Sequence, residues 1–321
     1  VITLVNPRTG RELRAEGDAL IDSDGNRFPI VAGIPRICEP DNYTQNFGLQ
    51  WNMFDVTQLD RPETGLDLST TRFFAETGWS PGGLAGESLL EVGSGAGRFT
   101  QVILAKTKAS LWSVDYSSAV EANLRNNGAI APDRLKLFQA SIYEMPFPDG
   151  SFDKVICLGV LQHTPDFEAS VRALVSKARP GGEIVVDFYP VRGWWTKLHA
   201  KYLLRPFTKR MPHDKLLARI DRNIDWLMRA HRALVQARLG ALTRFLPVAD
   251  LRFVLPGALS PRQAREWAVL DTFDMYSPEY DQPQRVERVA EMMRRSGARV
   301  TFAGYVDAAG AQAAVVRAIR T

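Results

Sequence analysis

Three glycines at alternate positions, Gly93, Gly95 and Gly97, follow an apolar run in the stretch LLEVGSGAGRFT (89–100). Glycines spaced this way let a ligand come close to backbone amides at a helix start. A phosphate-cradling loop needs Lys and then Ser or Thr after its last glycine, whereas Arg98 and Phe99 follow here. A dinucleotide turn needs G-x-G-x-x-G, and the third glycine arrives one residue early. A pyrophosphate wants the helix start bare and close. An amino-acid moiety wants amides for its carboxylate and an acid for its ammonium, which Glu91 can supply directly or through water. Asp115, ending the apolar run LWSVDYS, can accept both hydroxyls of a ribose, with Tyr116 beside it for a purine. Its plainer role is to cap a helix, in competition with Ser117.

Further along, His163 stands in LQHTPD and can take a proton near neutral pH. It can equally well order the loop it sits in. Gln162 next to it is a candidate hydrogen-bonding group for a substrate. The stretch VLDTFDMYSPEYDQPQ (269–284) alternates acids and tyrosines and reads as a turn-rich pocket wall; Asp274 and Tyr276 are its catalytic candidates and Tyr280 a substrate contact. Asp187, at the end of another apolar run, is a further substrate contact. No thiolate cluster exists, since Cys38 and Cys157 are the only cysteines, and no metal is expected.

These groups need a scaffold. Strands are expected at Ser88–Val92, Ser110–Val114, Leu135–Gln139, Lys154–Leu158 and Gly182–Phe188, with helices between, which argues for a parallel sheet covered on both faces. A helix over 284–296 and strands around 299–305 and 313–319 close the chain. Four parts follow: a β-rich unit at 1–40; a nucleotide-binding part at 41–190 that opens with an aromatic helical stretch; a basic helical insertion at 191–270; and the closing part at 271–321. Tyr43, Phe47 and Trp51, spaced by four, share one helical face, as core packing or as a lid over a ligand.

The chain of 321 residues has a net charge of +4, but residues 191–270 alone carry +11 and the remainder −7. Such asymmetry points to an anionic partner. The insertion mixes Trp194 and Trp195 with lysines and arginines. That composition fits plain packing, a pocket wall for an anionic substrate, or a membrane-surface segment. A face of Leu217, Ile220, Ile224, Leu227, Met228, His231, Leu234 and Val235 predicts a long helix there. Nothing reads as a secretion signal or as the roughly eighteen apolar residues of a membrane span, so a cytoplasmic protein is expected, with peripheral contact at the inner membrane surface left open.

The segments FQASIYEMPFPDGSFDKVICLGVLQHTPD (138–166) and ARPGGEIVVDF (178–188) resemble the class I S-adenosylmethionine-dependent methyltransferases over residues 86–190. The resemblance implies an α/β, doubly wound, mostly parallel seven-stranded Rossmann-like sheet with a helical insertion and a small N-terminal β unit. It implies S-adenosylmethionine as cofactor, with Gly93, Gly95 and Gly97 at the methionine part, Asp115 at the ribose, Tyr116, Ser141 and Ile142 around the adenine, and Leu158 near the sulfur. Ser141 departs from the family, where an Asp often accepts the adenine amino proton.

Residues 1–40 are similar to the zinc-ribbon unit that precedes some of these enzymes, through FPIVAGIPR (28–36). Its four cysteine positions fall near Asn6, Thr9, Asp22 and Asp24, so a metal-free unit is expected. A looser likeness is to methyltransferases of bacterial polysaccharide genes. The reading is O-methylation of an anionic small molecule or sugar/glycan intermediate beneath a basic cap. The alternatives are carbon methylation of a prenyl diphosphate, an RNA methyltransferase, and a non-catalytic binding protein. GVLQHTPD lacks the Asn/Asp-Pro-Pro-aromatic run used on base nitrogens, which argues against nucleic acid.

Overall fold

The computed structural model describes residues 2–39, 41–61, 65, 67–254, 259–308 and 310–321, without the side chains of Trp194, Phe253 and Val254. Four short strands come first: β1 (Arg14–Glu16), β2 (Ala19–Ile21), β3 (Arg27–Val31) and β4 (Ile34–Ile37). Helices α1 (Gln45–Met53) and α2 (Leu68–Thr77) lead into alternating units: β5 (Ser88–Val92), α3 (Arg98–Lys106), β6 (Ser110–Asp115), α4 (Val120–Asn127), β7 (Leu135–Ala140), β8 (Phe152–Cys157), α5 (Phe167–Lys177) and β9 (Ala178–Phe188). The insertion contributes α6 (Ala200–Thr208), α7 (His213–Gln236) and α8 (Leu251–Val254). Then come α9 (Pro261–Tyr276), α10 (Val286–Arg295), β10 (Ala298–Ala308) and β11 (Ala311–Arg320).

The expected seven-stranded, mostly parallel sheet is corrected to a mixed sheet of eleven, in the order β1-β2-β3-β4-β7-β6-β5-β8-β9-β11-β10. Its last seven positions are the expected alternating part, with β11 running antiparallel to both β9 and β10. The other four are the N-terminal unit. Strand β4 pairs in parallel with β7, Arg36 opposite Gln139 and Ile37 opposite Ala140, so the unit prolongs the sheet instead of sitting apart. Apolar runs bury both faces. Phe147, Val171 and Met293 belong to the core on the α5 and α10 side, and Phe73, Ile103 and Leu111 to the core on the α2 and α3 side.

The stretch at 269–284 is not turn-rich over its first half. Ser260 accepts from the Gln263 amide, Gln263 reaches back, and Pro261 stands at the helix start, so α9 begins firmly and runs on to Tyr276. The boundary expected at 270/271 falls inside it. Helix α7 forms where the periodicity placed it, with Ile220, Ile224, Leu227, Met228 and His231 buried. Leu216, not Leu217, completes that face, and Val235 is exposed.

In the N-terminal unit, Asp22 gathers Asn6, Thr9 and Asp24 around its carboxylate. Asn6 Nδ2 donates to its Oδ2 at 2.7 Å, Thr9 Oγ1 at 3.5 Å, and the Asp24 amide to its Oδ1 at 2.9 Å. Burial opposes its charge, but hydrogen bonds from Asn26 and Asn6 outweigh this and bring the carboxyl down to about 2. A depressed carboxyl contributes stability above its unfolded value that disappears as pH falls through the folded one. The N-terminal strands should therefore stay protected from hydrogen exchange at pH 4 and open as pH approaches 2. Asp22→Ala should expose them at neutral pH while leaving residues 88–188 protected.

Candidate active site

The carboxyl ends of β5, β6 and β8 open into a cavity of about 890 Å³, roofed by α1 and closed at its far end by the insertion, α9 and the β10–β11 turn. This is where an open α/β sheet binds ligands, at the point where strand order reverses. Gly93, Gly95, Asp115, Tyr116, Ile142, Leu158, His163, Asp187 and Asp274 all line it.

The glycine turn is held from below. Glu91 is buried and accepts hydrogen bonds from Thr100 Oγ1 and, at 2.9 Å, Ser113 Oγ. Asn123 Nδ2 donates to Thr100 at 2.9 Å, Asn126 Nδ2 to the Ala96 carbonyl at 2.8 Å, and Asn127 Nδ2 to the Gly97 carbonyl at 2.9 Å. Gly97 has φ +89°, and a Cβ there would lie 2.2 Å from Asn127 Nδ2, so no other residue fits. Glu91 thus supports the turn from beneath and does not itself reach the cavity wall; burial pushes its carboxyl up to about 7.

Asp115 performs both roles open to it. Its Oδ1 accepts from the Ser117 amide and hydroxyl, and its Oδ2 from the Gly95 amide at 2.8 Å. A carboxylate has lone pairs left after these bonds, and this one faces the cavity. Tyr116 lies 5.5 Å from Tyr43, ring to ring. Tyr43, Phe47 and Trp51 all line the cavity, but only Phe47 and Trp51 share the face of α1, since Tyr43 stands in the turn before the helix. Ser141 is placed differently: its hydroxyl accepts from the Tyr143 amide at 3.2 Å and lies outside the cavity wall.

His163 sits 5.2 Å from Phe47 and 5.5 Å from Tyr189, ring to ring. Its Nδ1 lies 3.1 Å from the Tyr280 carbonyl, which can only accept, so the proton is on Nδ1. Burial lowers the ring's affinity for a second proton. Nε2 therefore carries a lone pair, and it has no partner. Asp274 accepts from Tyr189 Oη at 3.1 Å and from Gln50 Nε2 at 3.4 Å, while Gln50 Oε1 also has no partner.

Four expected contacts are elsewhere. Tyr276 belongs to the core of the insertion, in contact with α7 residues and not with the cavity. Gln162 is fully buried, donating to the Gly159 carbonyl at 2.9 Å. Tyr280 is half-buried outside the cavity and contributes its carbonyl. Trp195 is on the outer surface, and the side chain of Trp194 lies outside the described residues. Asp187 does line the cavity, but it is engaged by Arg72 and the Gly159 amide.

Sequence reading missed Arg98. It donates to Gln58 Oε1 at 2.8 Å and Ser69 Oγ at 3.2 Å, and makes no ion pair among the described residues. A guanidinium directly after a glycine turn was its only signal. Burial, and then the nearby Arg72, bring it down to about 10, which an anionic ligand would relieve.

Residues 90–186 match the family model described as a methyltransferase domain. Over that stretch the chain is similar to methyltransferase domains. The chain is 31% identical over 139 residues to a ubiquinone biosynthesis O-methyltransferase of Pseudomonas paraeruginosa, covering 41% of this chain and 58% of that protein. It is 27% identical over 226 residues to an uncharacterized protein of Synechococcus sp., covering 68% of this chain and 48% of the other. It thus spans less than two thirds of each of these relatives. A solved complex of the Haloferax volcanii Trm112 methyltransferase activator with a putative methyltransferase aligns at 10% identity and TM-score 0.49, over 85% of this chain and 96% of that one. Among the described residues, no helix is long and apolar enough to cross a membrane.

Because the Glu91 carboxyl is raised, its contribution to stability is present at acid pH and lost as pH rises through about 7. Glu91→Gln keeps an acceptor for Thr100 and Ser113 and removes the buried charge. It should raise the melting temperature at pH 8, by on the order of 2 kcal/mol of stability, and bring no gain at pH 5.

Proposed function

We propose that this protein is an S-adenosylmethionine-dependent methyltransferase that acts on a hydroxyl oxygen, with His163 as the general base. The observation that carries the reading is the His163 ring at the cavity wall, with its Nε2 lone pair fixed by the Nδ1 bond to Tyr280 and buried without a partner.

The residues present fit the cofactor. Ser94 Oγ is buried without a partner in the glycine turn, Arg98 offers a buried cation with no ion pair among the described residues for a carboxylate, and Asp115 keeps lone pairs for a diol. Tyr116 and Ile142 supply apolar surface for a base, and the Trp51 indole lies over Gly95, where a Cβ would come within 3.1 Å of it. When bound, the cofactor supplies a methyl on a positively charged sulfur that departs as a neutral thioether. The protein orders the two reactants in line, excludes water beneath α1, and accepts at Nε2 the proton that the acceptor oxygen loses.

Gln50 Oε1 and Asp274 are hydrogen-bond acceptors near that histidine, so they suit further hydroxyls on the acceptor. Arg192, at the far end of the cavity, suits a negative group on it. The acceptor is therefore read as a polyhydroxylated, anionic molecule, such as a sugar or glycan intermediate of polysaccharide assembly. That the Pseudomonas relative is named an O-methyltransferase agrees with methylation at oxygen.

Labelled methyl from S-adenosylmethionine should enter a nuclease-resistant small-molecule, lipid or glycan fraction of extract; release of the label by nuclease would overturn the acceptor class. His163→Ala should lower kcat by about 10²–10⁴ with cofactor affinity unchanged. The activity of the wild type should fall only at pH values below the ordinary histidine range, since burial lowers the ring's affinity for a proton. Asp115→Ala and Arg98→Ala should each weaken cofactor binding tenfold or more in calorimetry, a change that leaves the melting temperature of the free protein nearly unaltered for Arg98→Ala.

A further inference from the structure

Helix α6 is amphipathic in the reverse sense for a surface helix. Its cations face inward: Lys201 Nζ pairs with Asp281 at 2.8 Å, and Arg205 donates to the Pro278 carbonyl at 2.8 Å. Its large apolar side chains face outward, Leu203 at 58% exposure and Phe207 at 73%, with Leu204 beside them. The preceding turn adds exposed Trp195 and Leu198, and Arg244 ties a second exposed apolar turn, with Leu242 and Phe245, to the Trp195 carbonyl. Soluble proteins seldom leave so continuous an apolar surface uncovered. A face that holds its charges inward by two specific bonds is built to stay apolar.

Its rim is basic. Lys197, Lys209 and Arg210 are exposed and make no ion pair among the described residues. Residues 191–270 carry the whole positive excess of the chain, +11 against −7 elsewhere. Apolar side chains in the middle with unpaired cations at the edge match the layered chemistry of an anionic bilayer, acyl boundary within and charged headgroups around. The same segment contributes Arg192, His199 and Lys201 to the cavity wall.

We infer that α6 and its flanking turns dock on the surface of an anionic lipid bilayer, bringing the far end of the cavity to the headgroups. Leu203 and Phe207 enter the interface, and Lys197, Lys209 and Arg210 pair with lipid phosphates. Resting on the preceding functional reading, the acceptor is then one presented at that surface. The docking itself needs neither cofactor nor acceptor, so a vesicle assay can fail while methyl transfer stands, and the reverse.

The test is co-sedimentation of the full chain with vesicles of equal parts phosphatidylglycerol and phosphatidylcholine, and with phosphatidylcholine alone. The wild type should bind the anionic vesicles and not the neutral ones, and 0.5 M salt should release it. Lys209→Glu with Arg210→Glu should weaken binding by at least about fivefold for each charge. Leu203→Glu with Phe207→Glu should abolish binding while the melting temperature holds; Phe207→Ser, a milder change, should weaken it in the same direction. Failure of the wild type to bind anionic vesicles would overturn the inference, as would binding indifferent to both apolar variants. So would a dimer in analytical sedimentation that Leu203→Glu with Phe207→Glu dissolves, or RNA binding with no vesicle binding, since the patch would then serve another partner.

Discussion

The site rests on one buried polar knot. Glu91 accepts from Thr100 and Ser113, Asn123 donates to Thr100, and Asn127 reaches the Gly97 carbonyl, so β5, β6, α3 and α4 meet beneath the glycine turn. Buried polar groups cost free energy unless they are satisfied, so the knot admits few alternative arrangements. It fixes a backbone that would otherwise be the most pliable in the chain, three glycines at positive φ. Above it, the Gly95 amide donates to Asp115, which joins the turn to the end of the neighbouring strand. The ligand-facing atoms are ordered before any ligand arrives, and such preorganisation lowers the cost of binding.

The lid and the insertion complete this frame in a second layer. Helix α1 is held to α9 through Asn46 to Ser277 and Gln50 to Asp274, and α9 packs on α7 in a core of its own. Arg72, between Glu76 and Asp187, joins α2 to the end of β9 at the cavity floor. Histidine orientation comes from further along the chain, since the Tyr280 carbonyl that sets the His163 tautomer lies past the end of α9. The histidine end of the cavity is thus assembled from segments more than a hundred residues apart.

That distance explains what the sequence could show. Strand–helix alternation from Ser88 to Phe188 was legible because each element there has its own apolar period and its own turn. Gly93, Gly95, Asp115, Tyr116, Ile142 and Leu158 stand at or just past strand ends and line the cavity, so a position in sequence is also a position there, whereas Gly97 turns into the support beneath and does not line it. Tyr276 and Gln162 were misplaced for the opposite reason. Gln162 sits in a single tight turn, which sends its amide back to the Gly159 carbonyl. Along α9, helical phase decides which side chains face the cavity, and reading 269–284 as turns hid that phase. Asp271 and Asp274 face it; Tyr276 does not. The partners of β4 and the inward turn of Lys201 and Arg205 depend on tertiary packing, which leaves no local trace.

The central claim is that the turn receives the amino-acid end of S-adenosylmethionine and Asp115 its ribose. The most direct measurement is a crystal structure with S-adenosylhomocysteine. The account predicts the amino-acid end at Gly93–Gly97 with its carboxylate toward Arg98, the ribose hydroxyls on Asp115, the base between Tyr116 and Ile142, and the sulfur side open toward His163. Density for the ligand elsewhere in the cavity, or ribose hydroxyls turned away from Asp115, would contradict it.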